Sequence, residues 1–335
     1  MVNALNAELV IADDGEGKPR IHRPEHGLRH VLPVQLVRDA RCPLFDQMLA
    51  EMFSNAADPT AVIEHLLELL GYAIQPRRDR ATILYLCGSG ANGKSTLLKI
   101  IEALVGPDLV WSGKISSMTQ DRFVLPNTRG CLLAIEDDGE PGEKVKTATL
   151  KMLCEHKRIS TRLARSTEGF AFNSMLMPIV ATNGAPQFDD TSQGLRRRLQ
   201  VIRFDRQFKP DEMKLGLAEE IIATELPGVL LRLIDGLRRL TARGHFAPPP
   251  ECEAALDEFL QEANHLTQFL AEQCVREDKA KISLGDLYLA LRSWSKDAGL
   301  KLPFAKNGLR PQLGAMGFVV RKSSVMVVEG LLLRT

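Results

Sequence analysis

The chain has 335 residues, 44% of them hydrophobic, with 43 Lys+Arg against 42 Asp+Glu. That length holds two or more domains and a substantial core, while a net charge of +1 names no partner by itself. Residues 1–14 lack a basic region followed by an apolar one, no apolar stretch approaches a membrane span, and the six cysteines form no CxxC pair; the expectation is a cytoplasmic protein whose thiols, Cys87 and Cys131 among them, are buried in a reducing compartment.

Residues 1–37 mix Gly, Pro, charge and short apolar pairs without a sustained helical period, and read as short strands and loops. His22, His26 and His30 have a spacing that invites a zinc reading, but Pro24 and Gly27 interrupt any helix that would align them, so they read as loop residues. Helix-like spacing follows over 43–53 and 60–70, with Asp58 and Pro59 as a start signal and Gly71 as a stop.

Six strand-favouring residues, TILYLC over 82–87, then run into GSGANGKS over 88–95, and an apolar period through Leu97, Leu98, Ile101 and Leu104 follows. The order is strand, phosphate loop, helix. A triphosphate needs backbone N–H groups aimed at its oxygens, glycines that let the backbone come close, a helix N-terminus and one mobile cation. Gly88, Gly90, Asn92, Gly93, Lys94, Ser95 and Thr96 supply these in order, whereas a tight glycine turn with a surface lysine is the plainer alternative.

Beyond the loop, apolar β-rich runs over 131–135, 175–182 and 199–204 alternate with helical patterns such as 145–154, which argues a mostly parallel sheet covered by helices. Magnesium beside phosphates needs oxygen ligands, and the attacking water needs a base. The first run ends in Glu136, Asp137 and Asp138, and Asp137 is expected to hold a magnesium-bound water and Glu136 to activate the nucleophile. An acidic surface loop is the rival account, and the order of the three acids leaves their roles interchangeable. The second run leads to Asn183 and Gly184, where an amide could position the water, although Asn-Gly after an apolar run is also an ordinary turn. Arg196, Arg197 and Arg198 precede the third run; three adjacent arginines are usually a solvated face, but guanidinium also stabilises charge on a transferred phosphoryl group, and such a finger reaches a neighbour's nucleotide only in a ring.

Between the second and third motifs, two strand-like arms flank a turn over 166–169, with Lys157, Arg158, Arg162 and Arg165 on the first arm and its base. Basic residues on a projecting hairpin suit a nucleic-acid backbone, and an edge protected by charge is the rival. Helices are expected over 211–224, 227–243 and 251–274, with the three prolines 248–250 as a hinge or linker start. The tail from 279 to 335 carries ten Lys/Arg against three Asp/Glu. Helix patterns over 283–296 and 304–316, then strands over 317–320 and 325–329 around Arg321 and Lys322, give a winged-helix order with a basic wing tip. It suits DNA, or equally a docking protein.

Together these motifs resemble the helicase part of phage and plasmid primase-helicases, a branch of the superfamily 3 helicases that includes the poxvirus primase-helicase. The family's loop reads G-x-G-x-N-G-K-S, and residues 88–95 match it, asparagine included. Residues 181–183 (ATN) resemble its sensor, Arg197 and Arg198 its finger, 226–228 (LPG) and 287–294 its downstream helical and winged-helix parts. Two features depart from the pattern. Family members often carry a single glutamate where this chain has Glu136, Asp137 and Asp138, and the primase domain that usually precedes the region is absent from these residues, which fits either a fragment or a stand-alone helicase.

The resemblance implies an α/β fold: a P-loop AAA+ core with a parallel sheet flanked by helices, a helical N-terminal lead-in and a C-terminal winged helix. The expected divisions are 1–74 (lead-in and helical collar), 75–210 (ATPase core), 211–278 (helical extension) and 279–335 (basic winged-helix-like domain). It further implies ATP and Mg2+ as cofactors, single-stranded and forked DNA as partners, a homo-oligomer of six, a primase domain or partner, and a phage, prophage or plasmid system in the cytoplasm of a bacterial host. Lys94 would bind phosphate, Ser95 would ligate Mg2+, and Arg158, Arg162 and Arg165 would grip DNA. A GTPase would need an N-K-x-D segment, which is absent; a small-molecule kinase would need neither hairpin nor basic tail; an adaptor or loader that assembles on DNA without unwinding it is the remaining rival.

Overall fold

The computed structural model describes residues 1–163, 165, 168–297, 306–322 and 324–334. A small antiparallel sheet, β1 (Val2–Asn3), β2 (Glu8–Ile11) and β3 (Gly17–Arg20), opens the chain. His26 and Arg20 both pair with Glu8 there. Two helices follow, α1 (Pro43–Met52) and α2 (Pro59–Ala73). Asp58 caps α2 by accepting from Ala61 N at 3.0 Å, as a Pro at the first helical position leads one to expect. Gly71 does not stop this helix. It is a contact point, where a Cβ would collide with Leu233 O of the long helix packed across it, and interhelical approach rather than a left-handed cap explains the glycine.

The centre is a five-stranded parallel sheet made by β4 (Ile83–Cys87), β5 (Val110–Ser112), β6 (Leu133–Gly139), β10 (Met177–Thr182) and β12 (Leu199–Arg203), in the spatial order β12-β4-β10-β6-β5. Its strands are apolar on both faces because both are covered. Leu84, Leu86, Leu133, Ile135, Ile179 and Ala181 share a core with α1, α2 and α3 (Lys94–Val105). Alternate residues Ile83, Tyr85, Ala134 and Val180 face the other core, with α4 (Ile115–Gln120) and α5 (Thr147–Leu153). Between strands lie a two-stranded pair of β7 (Lys144–Val145) with β11 (Gln187–Phe188), the hairpin β8 (Arg158–Arg162) and β9 (Gly169–Asn173), and the short α6 (Gln193–Arg196). The expected hairpin turn falls partly on residues 166–167, outside the described residues.

After the sheet come α7 (Leu217–Thr224), α8 (Leu226–Arg243), α9 (Pro250–Glu262) and α10 (His265–Gln273). The helix expected over 211–224 starts only at Leu217, because Gly216 takes a left-handed φ of 78° just before it. The helix expected over 251–274 is two helices: Asn264 interrupts it, and its side chain caps α10 by accepting from Leu266 N and Thr267 N. Next is a strand the sequence concealed, β13 (Cys274–Ser283), followed by α11 (Leu284–Asp297), α12 (Lys306–Ala315), β14 (Val320–Lys322) and β15 (Met326–Leu333). The last two strands are displaced from the expected 317–320 and 325–329, and residues 304–305 of the expected final helix lie outside the described residues. The antiparallel sheet β13-β15-β14 closes on a core of its own, which takes in Leu266, Phe269, Leu287, Leu291, Leu309 and Val328. All six cysteines are free, and no described helix is long and apolar enough to cross a membrane.

Candidate functional site

In a parallel sheet the loops after the strands meet at one edge. Here the loops after β4, β6 and β10 do so. The loop after β4 has left-handed backbone at Gly90, Ala91 and Gly93, and α3 begins with no side-chain cap on its N-terminus. The first-turn N–H groups are therefore left for an anion, reinforced by the helix dipole. Lys94 is 6% exposed; its ammonium donates to Gly88 O at 2.7 Å and Asn92 Oδ1 at 3.1 Å. Burial pulls its pKa below the usual lysine range, while Cys87, Asp137 and Asp138 act in the opposite direction. Asn92 is buried, and its Nδ2 donates to Phe204 O at 3.3 Å. The following segment also holds the loop, through Phe208 N to Ala91 O at 2.7 Å and Gln207 Nε2 to Ser89 Oγ at 2.7 Å. Ser95 is exposed beside the buried lysine and Thr96 is half-buried.

The three acids part company. Val180 pairs with Glu136 and Thr182 with Gly139, so β6 carries one extra residue at Asp137 and Asp138, a bulge that turns both exposed carboxylates toward the loop edge. Both act electrostatically on Lys94. Glu136 lies on the other face: it is 7% exposed, accepts from Ile115 N at 3.0 Å, and its charge, with burial as the larger cause, pushes the Tyr85 phenol upward. Burial raises its own pKa above the usual carboxylate range. Of the three acids whose roles the sequence left interchangeable, Glu136 is the one on the face away from Lys94.

Asn183 is exposed immediately after Thr182, whose carbonyl accepts from Gly88 N at 3.1 Å. The Thr182 hydroxyl contacts Gly139 O at 2.8 Å and accepts from Gly184 N at 3.2 Å. One residue thus ties the phosphate loop, the carboxylate strand and the segment carrying Asn183.

The arginines separate as well. Arg196 pairs with Asp257, and Arg198, 7% exposed, is bound to Glu155 and Gly194 O. Arg198 is thus an internal strut in this chain, its guanidinium buried against Glu155 and Gly194 O. Arg197 is exposed, makes no ion pair with the described residues, and lines a cleft of about 510 Å3 with Arg78, Arg80 and His245.

On the hairpin, Lys157 is occupied by Glu155, whereas Arg158, Arg162 and Arg165 are exposed. Sequence reasoning missed their neighbours. Phe123 is 37% exposed, with Arg122 4.9 Å and Arg162 5.8 Å from its ring centre; Arg129 lies 5.5 Å over Phe170, which stacks on Phe172. Only Arg122 next to Phe123 was a sequence signal, since the loop and the hairpin meet through folding, with Thr161 Oγ1 donating to Arg122 O at 3.0 Å. In the tail, Arg321 and Lys322 are exposed on β14, and Arg321 lies 3.7 Å from Glu329.

Comparison with known proteins bears on this edge of the sheet. A family model described as "Family of unknown function (DUF5906)" matches residues 86–198, from the end of β4 to the strut arginine. The mimivirus protein "Putative helicase L207/L206" of Acanthamoeba polyphaga mimivirus is 26% identical over 258 residues, 70% of this chain. This chain spans about a quarter of that curated relative, the match covering 27% of its length. Two apo structures of the C-terminal region of NrS-1 match at a TM-score of 0.51 and 12% identity. They cover 90% and 89% of this chain and 77% of theirs. That likeness is one of fold.

Proposed function

We propose that this chain is the motor part of an ATP-dependent DNA helicase of superfamily 3 type, an AAA+ ATPase that assembles head to tail as a ring, most simply a hexamer, and moves along single-stranded DNA. The observation that carries the reading is the meeting of Lys94, Asp137, Asp138 and Asn183 at one sheet edge, with an exposed basic and aromatic hairpin inserted between β6 and β10. A helicase as curated relative supports it.

The donor set fits magnesium-ATP: a glycine cradle, an uncapped helix N-terminus, one cation, one hydroxyl and two carboxylates. Bound there, the metal would supply charge neutralisation at the β- and γ-phosphates. The N–H groups of 93–96 and Lys94 would hold phosphate, Ser95 and Asp137 would hold the metal, the latter through water, and Asp138, on the loop side of the bulge, would accept the proton. Asn183 orients the attacking water. Arg197 reaches the adjacent subunit's site and stabilises developing charge. Arg158, Arg162 and Arg165 bind the DNA backbone while Phe123 and Phe170 offer faces to unstacked bases. The C-terminal α/β unit is read as a winged helix contacting the fork through Arg321 and Lys322, and 1–74, 75–210 and 211–278 as collar, ATPase core and helical extension. A phage, prophage or plasmid replication system in a bacterial cytoplasm, with a primase domain or partner, is the setting this reading implies.

Strand displacement on forked DNA tests it. Displacement with ATP and none with a non-hydrolysable analogue supports a helicase; ATP-dependent DNA binding without displacement in either case supports a loader.

A further inference from the structure

The segment that follows Asn183 is fastened to the end of α9. Glu262, the last residue of α9, accepts a hydrogen bond from Ala185 N at 3.0 Å through Oε1. The same oxygen lies against Gly184, where a Cβ would come within 2.6 Å of it. Burial first, and then the Glu262 carboxylate, push the Cys87 thiol at the end of β4 up to about 12, so this charge also reaches the base of the phosphate loop. Two residues on, Asn264 donates to Thr191 Oγ1 at 3.3 Å while its Oδ1 caps α10.

The two sides of this junction belong to different cores. Phe259 and Ala263 pack with the sheet, whereas Leu266 and Phe269 begin the C-terminal core. The link between them is two residues long, and both of its ends are bonded to the 184–191 segment. Glu262 stands on the sheet side of this junction, and the Thr182 bonds to Gly139 and Gly88 tie the segment it holds to β6 and to the loop after β4.

We propose that Glu262 is a positioning residue that sets Asn183 for hydrolysis. The inference rests on the nucleotide-hydrolysis reading above. Glu262 acts through the backbone from which Asn183 projects, so its loss impairs the chemical step more than nucleotide binding. Gln at this position keeps the accepting oxygen and restores the step.

The experiment measures kcat and KM for ATP, with and without single-stranded DNA, together with affinity for a fluorescent ATP analogue, in wild type, Glu262→Ala and Glu262→Gln. Glu262→Ala is expected to lower kcat about tenfold with analogue affinity within about twofold of wild type, and Glu262→Gln to recover most of kcat. Wild-type kcat in Glu262→Ala overturns the inference and leaves the ATPase reading standing. So does an equal fall of kcat and analogue affinity in both variants, which marks a role in folding alone. A wild-type protein that neither binds nor hydrolyses ATP overturns the ATPase reading and the inference with it.

Discussion

The Lys94 ammonium donates to Asn92 Oδ1 at 3.1 Å, while the other end of the same amide donates to Phe204 O at 3.3 Å. Asn92 therefore links Lys94 to the end of β12, and gives a physical reason for an asparagine inside the loop. Asn92→Ala is expected to raise KM for ATP about tenfold or more, the loss of a hydrogen bond to a charged group worth about 1.5–3 kcal/mol, with a smaller change in kcat. Lys94→Ala should abolish hydrolysis and leave thermal stability nearly unchanged. Steady-state kinetics beside thermal melts check both.

Arg197 and Arg198 are neighbours with different fates. Arg198→Ala removes the buried guanidinium and leaves the half-buried Glu155 with Lys157 as its remaining ion-pair partner, so that variant should melt below wild type. Arg197→Ala should melt normally and lose ATPase. Mixed 1:1 with Lys94→Ala, it should recover about one quarter of wild-type rate, because an intact loop meets an intact Arg197 at about that fraction of head-to-tail interfaces. Inactive mixtures, in rings shown by native mass spectrometry to contain both variants, would count against a finger acting between subunits.

Glu136 makes a pH-dependent prediction. Burial raises its folded pKa above the unfolded value, so the native state binds this proton more tightly. The stability it contributes is full below the unfolded pKa and is lost as pH rises through the folded one. Glu136→Gln should thus melt higher than wild type at neutral pH, with the difference shrinking toward pH 4, and should keep substantial ATPase. Melting curves across pH with parallel ATPase rates test this; a dead but well-folded Glu136→Gln would restore that residue to the reaction.

At the hairpin, Arg162→Ala should weaken single-stranded DNA binding similarly across sequences and reduce its salt slope, whereas Phe123→Ala should weaken binding by about 1–3 kcal/mol with the salt slope unchanged. Fluorescence anisotropy over a salt series separates the two. Equal salt slopes in wild type and Arg162→Ala would move the DNA contact elsewhere.

The elements nearest the nucleotide were the most legible. The strand, loop and helix around 82–104 announce themselves because local glycine geometry and apolar period agree, and the parallel sheet follows from strands that are apolar throughout. The sequence left the three acids interchangeable because a β-bulge, invisible in a run of acids, decides which carboxylates face the loop. It left Arg197 and Arg198 equivalent because Glu155, the partner of Arg198, is 43 residues away. The strand Cys274–Ser283 was hidden by its charges, which suit an edge position and mask any alternation. Gly71 was read as a helix stop because close approach of α8, not a local conformation, requires it.

The most direct measurement is strand displacement on a fork with a single-stranded arm, comparing wild type and Lys94→Ala in ATP, in a non-hydrolysable analogue and without magnesium. Wild type with magnesium and ATP should displace the strand and the other combinations should not, with single-stranded DNA accelerating hydrolysis several-fold in wild type alone. Displacement by Lys94→Ala equal to wild type, or displacement that proceeds equally with the analogue, would contradict a motor driven from the Lys94 site.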